Sequence, residues 1–468
     1  MASESEPLLP TGASPETVSR TLRKLDSRVL ALAVCPILFC CVDRMNIGFV
    51  ARDLCKELEM NHRQYGLGAG LFFGVGYIPV QFFGNRLLKR FGAPTWLAFI
   101  MCAWSCASSS MSLVRTPTQL YVLRFLLGLA EGGTFPGVFY YLSSFYPPQH
   151  QTGPYSIVMA ATSLAMPLAS PISAGLLAMD GLFGIEGWRY VFVGEGLMSI
   201  VCAGAVFVAL PESLEKAAFL EPGQRQWLLE ELSRKTPDSE QSYVDDLKCA
   251  VRNKTWWLIS IGGFLLLGVS TVLALWVVLI IHDSLYGEDE DDDDDDETCG
   301  SKNGNATTAV LLTSIPYVLS SAACFGLHWF DNAVGIRNRP RFSCVITCFS
   351  GLAMMSWIGA REVSFATGFV SLVVAIGTQS MSGGCNIGLI MSQFDSNTGA
   401  TCIGIGNIIY SFGPLIFPPV VGAMVDSNGY TLPMLCLGSA TFLSGVLAAF
   451  ASDPLTEGST SSDEDEKH

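Results

Sequence analysis

The chain carries twelve long apolar stretches, at approximately 28–50, 65–84, 95–114, 118–143, 154–178, 188–210, 256–281, 307–330, 342–360, 365–390, 401–425 and 431–451. A bilayer core about 30 Å thick needs roughly 20 apolar residues per helix, and no water-soluble core asks for that length twelve times. Only helices and closed barrels satisfy their own backbone polar groups in lipid, and runs this long are helical. Pro79, Pro136, Pro167, Pro171, Pro316 and Pro414 lie inside these stretches; membrane helices carry Pro more often than soluble ones. The charged fraction is 15%, against about 25% in soluble proteins. The expected fold class is therefore an all-α integral membrane protein with 12 transmembrane helices. Residues 1–27 are polar, and the stretch after them reads as a membrane helix, not as the short apolar core of a cleaved signal.

The net charge of −15 is local in origin. Residues 288–297 are all acids, and the segment 452–468 holds six acids and one Lys. Without those acids and Asp283, the rest of the chain is close to neutral, so no nucleic-acid partner is expected. Of the 15 Cys, most sit in apolar runs, where Cys acts as a small hydrophobe. Cys55 and Cys299 alone fall in loops expected outside the cytosol, and a bridge between them stays open. No Cys or His spacing points to a metal site.

Lys and Arg set the expected orientation. With the N-terminus in the cytosol, 18 bases fall on the cytosolic side and seven on the other, which follows the positive-inside rule. Asn305-Ala306-Thr307 is a sequon in a loop that this topology exposes outside, so Asn305 is an expected glycosylation site. The connector 211–255 separates six stretches from six. The expected organisation is a cytosolic N-tail (1–27), an N-terminal bundle (28–210), the central loop (211–255), a C-terminal bundle (256–451, with an external acidic loop at 283–306) and a cytosolic tail (452–468). The halves echo each other weakly, through basic turns that contain Asn85, Lys89 and Arg90 in one and Asp331 and Arg337 in the other. Two six-helix halves about a central loop resemble the major facilitator architecture, in which substrate binds at mid-membrane between the halves.

Ionisable groups inside a membrane are costly and mark function by default. Here they are few: Asp43 and Arg44 in the first stretch, Arg124 and Glu131 in the fourth, and Glu195 in the sixth. Arg124 and Glu131 are seven apart, which puts them on one helix face, whereas adjacent Asp43 and Arg44 point about 100° apart. An Arg fork suits a carboxylate ligand, and a carboxyl in a dry cavity suits a coupling proton. Structural salt bridges between helices are the competing reading. For Glu195, beside Trp188-Arg189 and between Gly194 and Gly196, the structural reading leads: helix packing and an ion pair. Tyr77 reads equally as a ligand hydroxyl or an interface aromatic, and Asn407 as a cavity residue or an interhelical hydrogen bond.

Cys41-Val42-Asp43-Arg44-Met45-Asn46-Ile47 resembles the Asp-Arg-x-Asn signature of the anion:cation symporter family within the major facilitators. The run from Tyr121-Val122-Leu123-Arg124 to Glu131-Gly132-Gly133-Thr134-Phe135-Pro136-Gly137 resembles that family's fourth span, and Gly187-Trp188-Arg189, Glu195-Gly196 and Leu210-Pro211-Glu212-Ser213 resemble its sixth. The likeness covers roughly 40–230 and looks closest to the tartrate, phthalate and allantoate permease branch. It implies a proton-coupled symporter of a small organic anion, with Asp43 and Glu131 as coupling carboxyls. It makes Arg44 and Arg124 substrate or gating cations and Tyr77 a substrate contact; Asn407 is a further candidate substrate residue, and Asn85, Lys89, Arg90, Asp331, Arg337 and Glu195 are candidate gating or structural ones. It implies no cofactor beyond the coupling ion, a proton with sodium as the alternative, and a monomer among membrane lipids. Where the wider superfamily carries an acid in the turn after the second span, Lys89 stands here.

Glu4, Leu8 and Leu9 fit an acidic dileucine signal of the kind read by clathrin adaptors, which points to an endosomal, lysosomal or vacuolar membrane beside the plasma membrane. The ten-acid run reads as a solvated insertion. No nucleophile–base pair or metal spacing supports an enzyme. A facilitator or efflux carrier of another solute, and an anion sensor without transport, are the alternatives to symport.

Overall fold

The computed structural model describes residues 15–147, 150–233, 243–286, 306–334, 339–392 and 396–451. Side chains are described within these except at 15, 82–87, 89, 152, 233, 243–246, 325, 327–334, 339, 383–392, 396–401, 403 and 404. Lys89, Asn85 and Asp331 thus fall outside the described side chains, and Glu4, Leu8, Leu9, Cys299, Asn305 and Arg337 outside the described residues.

The described regular structure is helical throughout. Twelve helices follow the expected order: α1 (Ala31–Phe49), α2 (Phe73–Phe91), α3 (Ala93–Ser110), α4 (Pro117–Glu131, continued by Thr134–Ser143), α5 (Thr152–Leu177), α6 (Gly187–Ala209), α7 (Lys254–Tyr286), α8 (Ala306–Val334), α9 (Arg339–Val363), α10 (Phe365–Ser392), α11 (Ser396–Asn428) and α12 (Thr431–Ala449). Among the described residues, eleven helical runs are long and apolar enough to cross a membrane. The remaining one, α2, is entered through a short helix, His62–Gly66, and a wide π turn, Leu67–Phe72. Large apolar side chains face outward, among them Phe99, Phe207, Val208 and Val345. Patches of that extent suit lipid and not water.

Local chemistry explains the boundaries. Thr116 caps α4 by accepting from the Gln119 N–H, and Pro117 follows at the first helical position. Asn61 and Gln64 form a reciprocal capping box at the entry to α2. Gly92 turns the chain from α2 to α3 at φ +82°, a conformation that side chains disfavour. Helices His62–Gly66 and Ala51–Glu57 lie on the face away from the termini, here termed the far face. On the opposite, terminal face the connector helix Pro222–Ser233 follows Glu221, which pairs with Lys24 at 2.7 Å.

Membrane helices pack through small residues that let backbones approach. A Cβ on Gly128 would sit 3.0 Å from the Tyr77 backbone N, and one on Gly132 would sit 2.8 Å from the Val80 Cβ. The glycines of α4 thus seat α2 directly against it, which brings Phe73 and Tyr77 beside Arg124 and Glu131.

The halves meet along α1–α7, α2–α11 and α5–α8. On the far face, Asp426 of α11 accepts from the backbone N–H groups of His62 (2.9 Å) and Arg63 (3.0 Å). Tyr65 donates to the Leu275 carbonyl at 3.1 Å and stands edge-on to Trp276. Deeper in, Ser170 donates to the Val310 carbonyl, Ser321 to the Ser163 carbonyl at 2.7 Å, and Gln81 to Ser411 at 3.2 Å. These contacts join the halves from the far face to about this depth. The far face is closed in this conformation.

Candidate functional site

The charged centre lies where α1, α2 and α4 meet. Arg44 donates to Glu131 Oε2 through both Nη2 (3.1 Å) and Nε (3.2 Å), and Cys40, one turn earlier on α1, donates its thiol to the same oxygen at 3.4 Å. Glu131 is fully buried, whereas the Arg44 side chain is 22% exposed. The second carboxylate oxygen, Oε1, has no hydrogen-bond partner. Glu131 is the last residue of the first segment of α4, just before the Gly132-Gly133 interruption. The Arg44 guanidinium lies 4.7 Å from the Tyr77 ring centre and 5.0 Å from that of Phe73, within range for cation–π attraction.

Arg124 has a different environment. It is fully buried, 5.1 Å from the Phe73 ring centre, and donates to the carbonyls of Ala69 (2.9 Å) and Gly68 (3.4 Å). Those carbonyls belong to the π turn Leu67–Phe72, where the usual helical bonding pattern is shifted and carbonyls are left for other donors. Although Arg124 and Glu131 share a face of α4, they do not pair: Glu131 pairs with Arg44, and Arg124 anchors the backbone of the neighbouring helix.

Asp43 lies apart from the Arg44–Glu131 pair. It faces the interior of the N-terminal half and accepts from Ser108 of α3 (3.0 Å) and Ser199 of α6 (2.7 Å). Glu195 was expected in an ion pair near Arg189. Instead it is fully buried and accepts from Ser173, while Arg189 on the far face pairs with Glu57 and Glu186 and lies 4.2 Å over Trp188. Tyr77 is buried beneath Arg44. Asn407 is exposed and donates to Gln81 at 3.4 Å across the two halves. Arg90 is exposed, beside the Phe91 ring. Cys55 is buried and a free thiol.

Sequence reasoning missed Phe73, Gln81 and Ser411. Phe73, Tyr77 and Gln81 recur every fourth residue and so line one face of α2, a signal present in the sequence. Gln81 and Ser411 join the two halves beside Asn407.

With this geometry in view, the relatives can be placed. The Major Facilitator Superfamily model matches residues 32–413. A protein of Pseudomonas putida named as the metabolite transport protein NicT is 33% identical over 396 residues, 83% of this chain and 84% of that protein. The chain belongs to the Major Facilitator Superfamily, a family of transporters and not of enzymes. A protein of Agrobacterium vitis named as a tartrate transporter is 37% identical over 224 residues, 48% of this chain. The match spans about half the length of that relative (49%). The partially occluded, inward-open structure of the xylose transporter XylE from E. coli superposes with a TM-score of 0.67 at 13% identity, covering 92% of this chain and 99% of that one. That similarity carries the fold alone.

Proposed function

We propose that this chain is a proton-coupled symporter of a small organic anion, working by alternating access. One observation carries the reading: a partly exposed guanidinium, Arg44, is held by a fully buried carboxylate, Glu131, that has a free oxygen. A proton taken up at Glu131 removes its charge and releases Arg44, whose fork fits a substrate carboxylate. Phe73 and Tyr77 beneath the guanidinium fix its plane. Gln81, Asn407 and Ser411, shared between the halves, supply amide and hydroxyl partners suited to a hydroxylated carboxylate. Closure around such a ligand couples its binding to the movement of one half against the other. Arg124 keeps the π turn of α2 in register and so positions Phe73. Asp43 is a second coupling carboxyl in this reading, reached through Ser108 and Ser199.

The name of the Agrobacterium vitis relative points the same way, toward a hydroxylated dicarboxylate. The termini lie in the cytosol on this reading, in a plasma membrane or an endosomal, lysosomal or vacuolar one, with the N-tail dileucine open to adaptors. The test is transport by Glu131→Gln in liposomes. Accumulation driven by a pH gradient is lost while counterflow exchange of labelled carboxylate persists; full proton-driven accumulation by this variant overturns the assignment.

A further inference from the structure

A second polar cluster lies inside the N-terminal half, where α1, α3, α5 and α6 converge. Asp43 and Glu195 are both fully buried there. Ser108 and Ser199 donate to Asp43, and Ser173 donates to Glu195 Oε1 at 2.5 Å. Asn46, one turn beyond Asp43, donates to the Ser108 hydroxyl at 3.1 Å. Asp43 and Asn46 of α1 lie on the side of Glu195 and act on its charge. From α3 and α5 the facing groups are serines. The more distant charges acting on Asp43 are Glu131 and Arg124. The Trp104 indole lies alongside Asp43 without closing a hydrogen bond.

Two atoms in this cluster are buried acceptors without a donor: Glu195 Oε2 and Asn46 Oδ1. Such orphans each cost on the order of 1–3 kcal/mol. A proton on Glu195 turns its orphan oxygen into a donor, and an amide oxygen such as that of Asn46 can accept it. Charge leads to the same result. Two neighbouring carboxylates with no ion-pair partner among the described residues each carry a desolvation penalty of several kcal/mol, which a proton removes. A Cβ on Gly196 would lie 3.1 Å from the Ser105 carbonyl, so α6 rests directly on α3.

We propose that Glu195 is a proton-binding site separate from the Arg44–Glu131 centre. In this conformation it is neutral, its Oε2–H donating to the Asn46 carbonyl. Asn46 and Ser108 connect it to Asp43 by hydrogen bonds. Only the use of this proton during transport rests on the function proposed above; its presence on Glu195 does not.

The test is infrared spectroscopy of the full chain in nanodiscs, titrated from neutral to alkaline pH, with the carbonyl stretch of a protonated carboxylic acid as the readout. The wild type shows the band at neutral pH, Glu195→Gln removes intensity from it, and Glu131→Gln leaves that component in place. Asn46→Leu, which deletes the acceptor, moves the component to higher frequency and serves as the second variant if Glu195→Gln does not fold. A wild-type band absent at neutral pH, or one that neither variant alters, overturns the proposal. A sodium-dependent spectral change that requires Glu195 overturns it in favour of a metal cation.

Discussion

Replacing Arg44 by Met keeps most of the aliphatic stem and deletes the guanidinium. Glu131 is then a buried acid without its cation. Removing one member of a buried ion pair costs about 3–5 kcal/mol, and because Arg44 is 22% exposed the lower end, about 3 kcal/mol, applies. Loss of the contacts over Tyr77 and Phe73 adds about 1 kcal/mol. In an E131Q background the electrostatic part disappears, because the amide carries no charge and only the ring contacts remain to be lost. The double-mutant cycle therefore has a coupling energy of about 3 kcal/mol. The assay is unfolding of the full chain in mixed micelles by increasing SDS, followed by Trp fluorescence. Arg44→Met is strongly destabilised, and Arg44→Met with Glu131→Gln is more stable than Arg44→Met alone. Simple additivity of the two changes would refute the pairing and the release step built on it.

Three other outcomes follow from the contacts. Gly70→Val puts a Cβ 2.6 Å from the Pro418 Cβ and 3.0 Å from the Pro414 carbonyl; it pushes α2 and α11 apart and shifts the protein toward opening at the far face, read by spin-label distances across that face. Asp426→Asn removes a negative charge from the N-terminus of the helix His62–Gly66, a loss of about 0.3–1 kcal/mol, so far-face opening rises a few-fold in the same measurement. Lys24→Ala breaks an ion pair whose members are 32% and 64% exposed; such pairs contribute about 0–1 kcal/mol, and its unfolding transition stays close to that of the wild type.

The fold was legible because bilayer thickness imposes one length on every crossing, and that length can be read from the sequence without knowing any contact. The charged residues were legible as a set for the same reason, since they are few and stand in otherwise apolar runs. Their partners were not. A spacing of seven puts Arg124 and Glu131 on one face of α4, but which neighbour meets each depends on the π turn in α2, whose carbonyls take Arg124, and on the rotation of α1, which turns Arg44 toward Glu131 and Asp43 away. Glu195 misled through proximity in sequence. Arg189 is six residues away, or roughly 9 Å along the helix, and sits at the far face with Glu57. Asn407 was legible as a candidate, but its pairing across the halves with Gln81, and that of Gln81 with Ser411, was not, because sequence periodicity does not say which helix of the other half each face meets.

Proton coupling through Glu131 is the central claim, and the pH inside a liposome tests it most directly. With the full chain reconstituted and a pH dye in the lumen, a carboxylate entering down its own gradient carries protons with it and acidifies the interior. Glu131→Gln abolishes that acidification while exchange of labelled carboxylate continues. Downhill carboxylate entry without a pH change in the wild type, or unaltered acidification in Glu131→Gln, would contradict the account.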